Sequence, residues 1–74
     1  MGTMAIPDHT GHTAIEWHTS DRASLRHAER TFTSLLEQRL VPFARRTPTD
    51  EFVQARAFDA DLHEVVWVRP LQGG

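Results

Sequence analysis

Asp21-Arg22-Ala23-Ser24-Leu25-Arg26-His27-Ala28-Glu29-Arg30-Thr31-Phe32-Thr33-Ser34-Leu35-Leu36-Glu37-Gln38-Arg39-Leu40 is the most strongly patterned part of the chain. Leu25, Ala28, Phe32, Leu35, Leu36 and Leu40 recur at spacings of three and four, which draws one apolar stripe down a helix. Arg22, Arg26, Glu29, Arg30, Thr33 and Glu37 fall mostly on the opposite side. Ser20 or Asp21 supplies the N-cap oxygen. Pro42 disfavours helical geometry at Val41 and ends the run. The predicted helix therefore makes about five turns, near 30 Å at ~1.5 Å per residue.

Strand signals lie on both sides of it. Before the helix, Thr13 to His18 alternates, with Ile15 and Trp17 on one face and Ala14, Glu16 and His18 on the other, as a half-buried strand does. Asp8-His9-Thr10-Gly11 has turn chemistry. Residues 1–11 read as an extended arm in which Met4-Ala5-Ile6 forms a short edge strand before Pro7. Met1-Gly2-Thr3, preceding a second methionine, reads as an appended start with no functional weight. After the helix, Arg45 to Asp50 is polar. Phe52 to Phe58 alternates, and Val65-Val66-Trp67-Val68 is β-branched and aromatic. Asp59-Ala60-Asp61 between them predicts an antiparallel hairpin of 52–58 with 64–69. Pro70 closes the last strand. The expected fold class is α+β: one long helix on a small mixed sheet, in the order (β)-β-α-β-β, as a single domain over 12–70 with a tail at 71–74.

Composition sets the bounds. The 74 residues hold no cysteine and carry a formal charge of −2. Disulfides and thiolate-bound zinc are excluded, and the lack of cysteine accords with a reducing cytoplasm. Near-balanced charge argues against a general nucleic-acid binder, which needs a basic excess. All eight positive residues are arginine, so no lysine is present to receive a conjugated copy. The sequence has neither an apolar run of membrane-spanning length nor a signal-peptide pattern at its start.

Candidate chemistry is sparse. His9 and His12 are spaced to share a metal on a turn, with Asp8, Glu16 and His18 close in sequence, but exposed turn histidines account for the pair more simply. The serines sit at a cap or on the helix, without the oriented base that a nucleophile needs. Asp59, Asp61 and Glu64 read as a solvated turn. A domain of this size rarely forms a pocket of 300–1,000 Å³. These readings point to a protein without catalytic activity or cofactor. Arg22, Arg26 and Arg30 form an i, i+4, i+8 ridge that could touch phosphate or RNA, although Glu29 and Glu37 interrupt it. With a helix on one sheet face only, the alternation puts Phe52, Arg56 and Phe58 on the other face, as a surface for a protein partner or a second copy.

The final Leu71-Gln72-Gly73-Gly74 carries the most specific signal. Glycines remove side chains, so such a tail can thread a narrow catalytic channel. This ending resembles the strand-then-Leu-x-Gly-Gly terminus of ubiquitin-like, β-grasp proteins. Thr10-Gly11-His12-Thr13, the following strand and Ser20-Asp21 resemble their first hairpin turn, second strand and helix cap. The resemblance implies that Gly74 is the acyl group activated by an adenylating enzyme, with conjugation or sulfur carriage to follow, as a ubiquitin-like or carrier protein; the expected partner is that adenylating enzyme or a protease. It also implies that Gln72 lies where the activating enzyme senses the protein. The family pattern asks for a longer first strand than Met4-Ala5-Ile6-Pro7, and for a shorter helix. The chain is also similar to small bacterial proteins of no assigned activity, through Thr10-Gly11-His12-Thr13, Phe58-Asp59 and Pro70-Leu71-Gln72-Gly73-Gly74.

Overall fold

Asp21 starts the helix. Its backbone is extended, with φ −116° and ψ 100°, and its carboxylate accepts hydrogen bonds from the Ala23 and Ser24 amides. Those amides are among the donors that a first helical turn leaves without partners. Helix α1 spans Arg22–Glu37, ending before the predicted limit at Leu40. It closes in a Schellman arrangement: the Arg39 amide donates to the Leu36 carbonyl at 2.9 Å, and the Leu40 amide to the Leu35 carbonyl at 3.1 Å. Arg39 takes a φ of 68°, a conformation that usually calls for glycine. Leu40 and Leu35 are both buried in the core. Leu40 thus continues the apolar pattern without belonging to the helix.

The computed structural model describes residues 1–8 and 11–70, His12 by its backbone only. Five strands are found among these residues: β1 (Gly2–Asp8), β2 (Gly11–Trp17), β3 (Val41–Arg45), β4 (Val53–Gln54) and β5 (Glu64–Val68). They form one mixed sheet in the order β2-β1-β5-β3-β4. β1 runs antiparallel to β2 and parallel to β5, while β3 runs antiparallel to both β5 and β4. α1 packs on one face, where Ala28, Phe32 and Leu35 meet Met4, Trp17, Ala44, Val65 and Trp67. Aromatic rings link this core edge to face: Trp17 to Phe58 at 5.1 Å, Phe58 to Phe32 at 6.0 Å, and Phe32 to Trp67 at 4.9 Å between centroids.

Two expectations are corrected. The hairpin of 52–58 with 64–69 does not form. β5 pairs with β3 and β1 instead, and only Val53–Gln54 of the expected strand is extended, against β3. The segment Val41-Pro42-Phe43-Ala44-Arg45 is the better partner because its own alternation buries Pro42 and Ala44 beneath the helix.

The other correction concerns the first strand, which is long and interior rather than a short edge. The Thr3 amide donates to the His63 carbonyl at 3.1 Å. By alternation, the nitrogens of Ala5 and Pro7 then also face β5. β1 and β5 pair only from Thr3↔Glu64 to Ala5↔Val66, so the parallel ladder stops where Pro7 would have to donate. The ladder to β2 continues past the proline to Asp8↔Gly11. Pro42 acts the same way: its carbonyl accepts from Ala55 at 3.0 Å, it has no amide to return, and β4 ends at Gln54.

Candidate interaction surface

Strand alternation and register place a second set of side chains on the face away from α1. One row crosses the whole sheet, because Ala14 pairs with Ala5, Ala5 with Val66, Val66 with Phe43, and Phe43 with Gln54. Val41 pairs with Val68 on one side of this row, and Pro7 extends it along β1. On the other side, Glu16, Thr3, Glu64 and Arg45 make a polar row. Ala5, Val41, Phe43 and Val66 are half-buried by their neighbours, and Val68 is 44% exposed. The result is an apolar band bordered by charge.

Arg45 anchors the charged border. Its guanidinium bonds Glu64 at 2.7 and 3.0 Å, donates to the Pro48 carbonyl at 2.9 Å, and lies 4.5 Å over the Phe52 ring. These contacts fix Phe52 beside the outer face, where it is 39% exposed.

Phe52, Arg56 and Phe58 do not share a face, which corrects the surface expected from their alternation. Residues 55–58 are not a strand, so a period of two has no meaning there. Phe58 turns inward against Trp17 and Phe32. Arg56 is exposed on the rim of an open cleft of about 880 Å³, lined also by Arg46, Phe58, Asp59 and Leu62. The volume falls within the range of small-molecule sites, larger than expected for so short a chain.

Arg46 and Asp59 bridge this cleft at 2.6 Å. Asp59 also accepts from the Asp61 amide at 2.9 Å. That bond first, and the Arg46 contact second, hold the Asp59 carboxyl below the usual carboxylate range. In return, hydrogen bonding to Asp59 holds the Arg46 guanidinium above its ordinary value. Within the cleft, the Arg46 and Asp59 charges therefore satisfy one another.

The other sequence candidates are scattered. Arg22, Arg26 and Arg30 are exposed along α1. Arg22 and Arg26 border a hollow of about 330 Å³ with Leu25, Glu29, Phe58 and Ala60. Ser24 completes the helix start: its hydroxyl accepts from the His18 amide and donates to the Asp21 carbonyl, both at 2.9 Å. His9 and the tail Leu71, Gln72, Gly73 and Gly74 lie outside the described residues, as does the side chain of His12. Among the described residues, no three His, Cys, Asp or Glu side chains gather as a metal site.

Sequence reading missed Val41, Phe43, Val66 and Val68 as surface residues. The signal was present in the alternation of 41–45, but the proline at 42 masked it as the end of a helix. No family model, curated protein or solved structure matches this chain.

Proposed function

We propose that this chain is a non-catalytic, ubiquitin-like protein with a β-grasp fold, whose Gly73-Gly74 is engaged by a partner enzyme. The observation that carries the reading is the strand arrangement. The first and last strands lie side by side and parallel near the middle of the sheet, and one helix crosses a single face. This arrangement supports the β-grasp reading, in which the chain passes from the last strand to its C-terminal glycines. After β5, Arg69 and Pro70 are exposed, and Leu71-Gln72 precede the two glycines in sequence. The partner is an adenylating enzyme that activates the Gly74 carboxylate, or a protease that hydrolyses the amide joining Gly74 to another protein.

The test is ATP–pyrophosphate exchange with an adenylating enzyme from the same genome. Deleting Gly73-Gly74 abolishes the exchange while the circular dichroism spectrum stays that of the intact chain. Exchange that survives the deletion refutes the proposal.

A second reading assigns the outer sheet face as the protein-docking surface. The apolar band through Ala5, Val66 and Phe43, with Val68 exposed at its margin, favours it. Under this reading, Val68→Asp raises the KM for the activating enzyme and leaves kcat in place. An unchanged KM removes this face from the reading.

A further inference from the structure

The two edges of the sheet are unlike. β4 exposes two residues, Val53–Gln54, and an edge that short offers little to a passing strand. β2 exposes seven, Gly11–Trp17, paired on one side only. Its register against β1 runs one to one from Gly2↔Trp17 to Asp8↔Gly11, without a bulge. It holds no proline and no lysine, and Glu16 is its only acidic residue. Shortness, proline, lysine and a bulge, four of the devices that blunt a sheet edge, are therefore absent from β2.

Backbone alternation identifies the groups that this edge presents. Since the Thr3 amide faces β5, the even-numbered residues of β1 turn their amides and carbonyls toward β2. Their register partners are Gly11, Thr13, Ile15 and Trp17. The intervening residues His12, Ala14 and Glu16 must then turn their backbone donors and acceptors outward, away from β1.

We propose that β2 is a homodimer edge. Two copies of the chain pair β2 with β2 antiparallel, across a twofold axis at Ala14, to make one continuous sheet. The register is self-complementary. With the axis at Ala14, Ala14 meets Ala14 of the second copy, and His12 meets Glu16 in both directions. Each of these pairs exchanges two hydrogen bonds, so every outward group finds a partner. Moving the axis to Thr13 or Ile15 loses one of the three pairs, and moving it to Glu16 sets two carboxylates against each other, which is unfavourable. At the Ala14 axis the smallest chiral side chain meets its own copy, so the central pair brings no steric conflict. The apolar row Ala14, Ala5, Val66 and Phe43 then continues into the second copy. An isologous contact of this kind closes on itself, and it adds burial to a chain whose single core is small.

The experiment uses the full chain. Light scattering after gel filtration gives twice the 8.4 kDa of one chain for the wild type. Ala14→Pro removes an amide that β1 does not use, and raises the dimer Kd at least ~30-fold through loss of the two central bonds. Ala14→Lys keeps that amide, sets two cations at the axis and shifts the mass to one chain, so it settles the matter if the proline variant fails to fold. Because the chain has no cysteine, Ala14→Cys reports the register: directly opposed Cα atoms at ~5.5 Å lie within disulfide reach. It cross-links under mild oxidation, whereas Glu16→Cys does not. A wild type that stays monomeric at its solubility limit overturns the proposal. So does a dimer that survives both Ala14→Pro and Ala14→Lys, or equal cross-linking at 14 and 16.

Discussion

Phe58→Ala separates a surface role from a core role. Phe58 meets Trp17 at 5.1 Å and 72°, and Phe32 at 6.0 Å and 61°; it joins two other large rings of the core rather than displaying its own. A fully buried Phe→Ala change costs about 3–5 kcal/mol. Phe58 is only half-buried, which takes it to the lower end. Its two edge-to-face contacts are part of that loss, at about 0.5–1.5 kcal/mol each. A loss of about 2–3 kcal/mol follows, from a domain whose single core supplies roughly 3–5 kcal/mol. At about 4–8 °C per kcal/mol for this size, Tm falls by about 8–24 °C. Phe52→Ala is the matched control, since Phe52 is 39% exposed and stacks under the Arg45 guanidinium, a contact worth about 0.5–1 kcal/mol at such a site. Urea titration followed by tryptophan fluorescence reads both variants, because the Trp17 ring is itself the neighbour of Phe58. Equal stability of the two variants, or a Phe58→Ala loss under ~0.5 kcal/mol, would refute the core assignment.

Arg39→Gly is expected to stabilise the fold by about 0.5–1 kcal/mol, since it relieves a side chain held at φ 68°; a lower urea midpoint would contradict the cap assignment. Gly2→Ala is expected to destabilise by about 1–3 kcal/mol, because a Cβ there would overlap the Trp17 ring and lie 2.7 Å from the Leu62 carbonyl oxygen; an unchanged Tm would mean that the start of β1 is not packed as described. Asp59 has its folded pKa lowered by the Asp61 amide and Arg46. It therefore contributes stability above the ordinary carboxylate range, and this is lost as pH falls through the folded value. Asp59→Asn lowers the urea midpoint at pH 7 slightly, as suits a pair standing in solvent, and the gap from wild type closes as pH falls below the ordinary carboxylate range and through the folded value; a gap constant with pH would contradict the linkage.

Local periodicity made α1, β2 and β5 legible in sequence. The leucines and Phe32 repeat at helical spacing, Ile15 and Trp17 alternate, and the valines around Trp67 favour a strand. β3 was not legible because two stop signals misled in sequence order. The helix ends at Glu37 and the chain turns left-handed at Arg39, a residue that gives no warning of such a turn, so Pro42 reads as the terminator and Val41–Arg45 loses its identity as a strand. Without β3, β5 lacked its partner, and the alternation at 52–58 was left to fill the gap. Phe58 then followed a strand period it does not have. Tertiary demand wins there: the Phe58 ring packs edge to face against both Trp17 and Phe32.

The prolines that obscure the fold in sequence also give the sheet its asymmetry. Pro7 and Pro42 each lie in a strand with neighbours on both sides, and each points its missing donor at the weaker ladder. Pro7 limits the β1–β5 pairing to its first residues, and Pro42 limits β4 to two. The edge beyond Pro42 is therefore too short to recruit a strand, while the edge at β2 carries no such restraint. A chain that blunts one side of its sheet and leaves seven residues open on the other has one natural direction in which to grow. A point mutation at Ala14 reaches that edge without disturbing the ladder that holds β2 to β1.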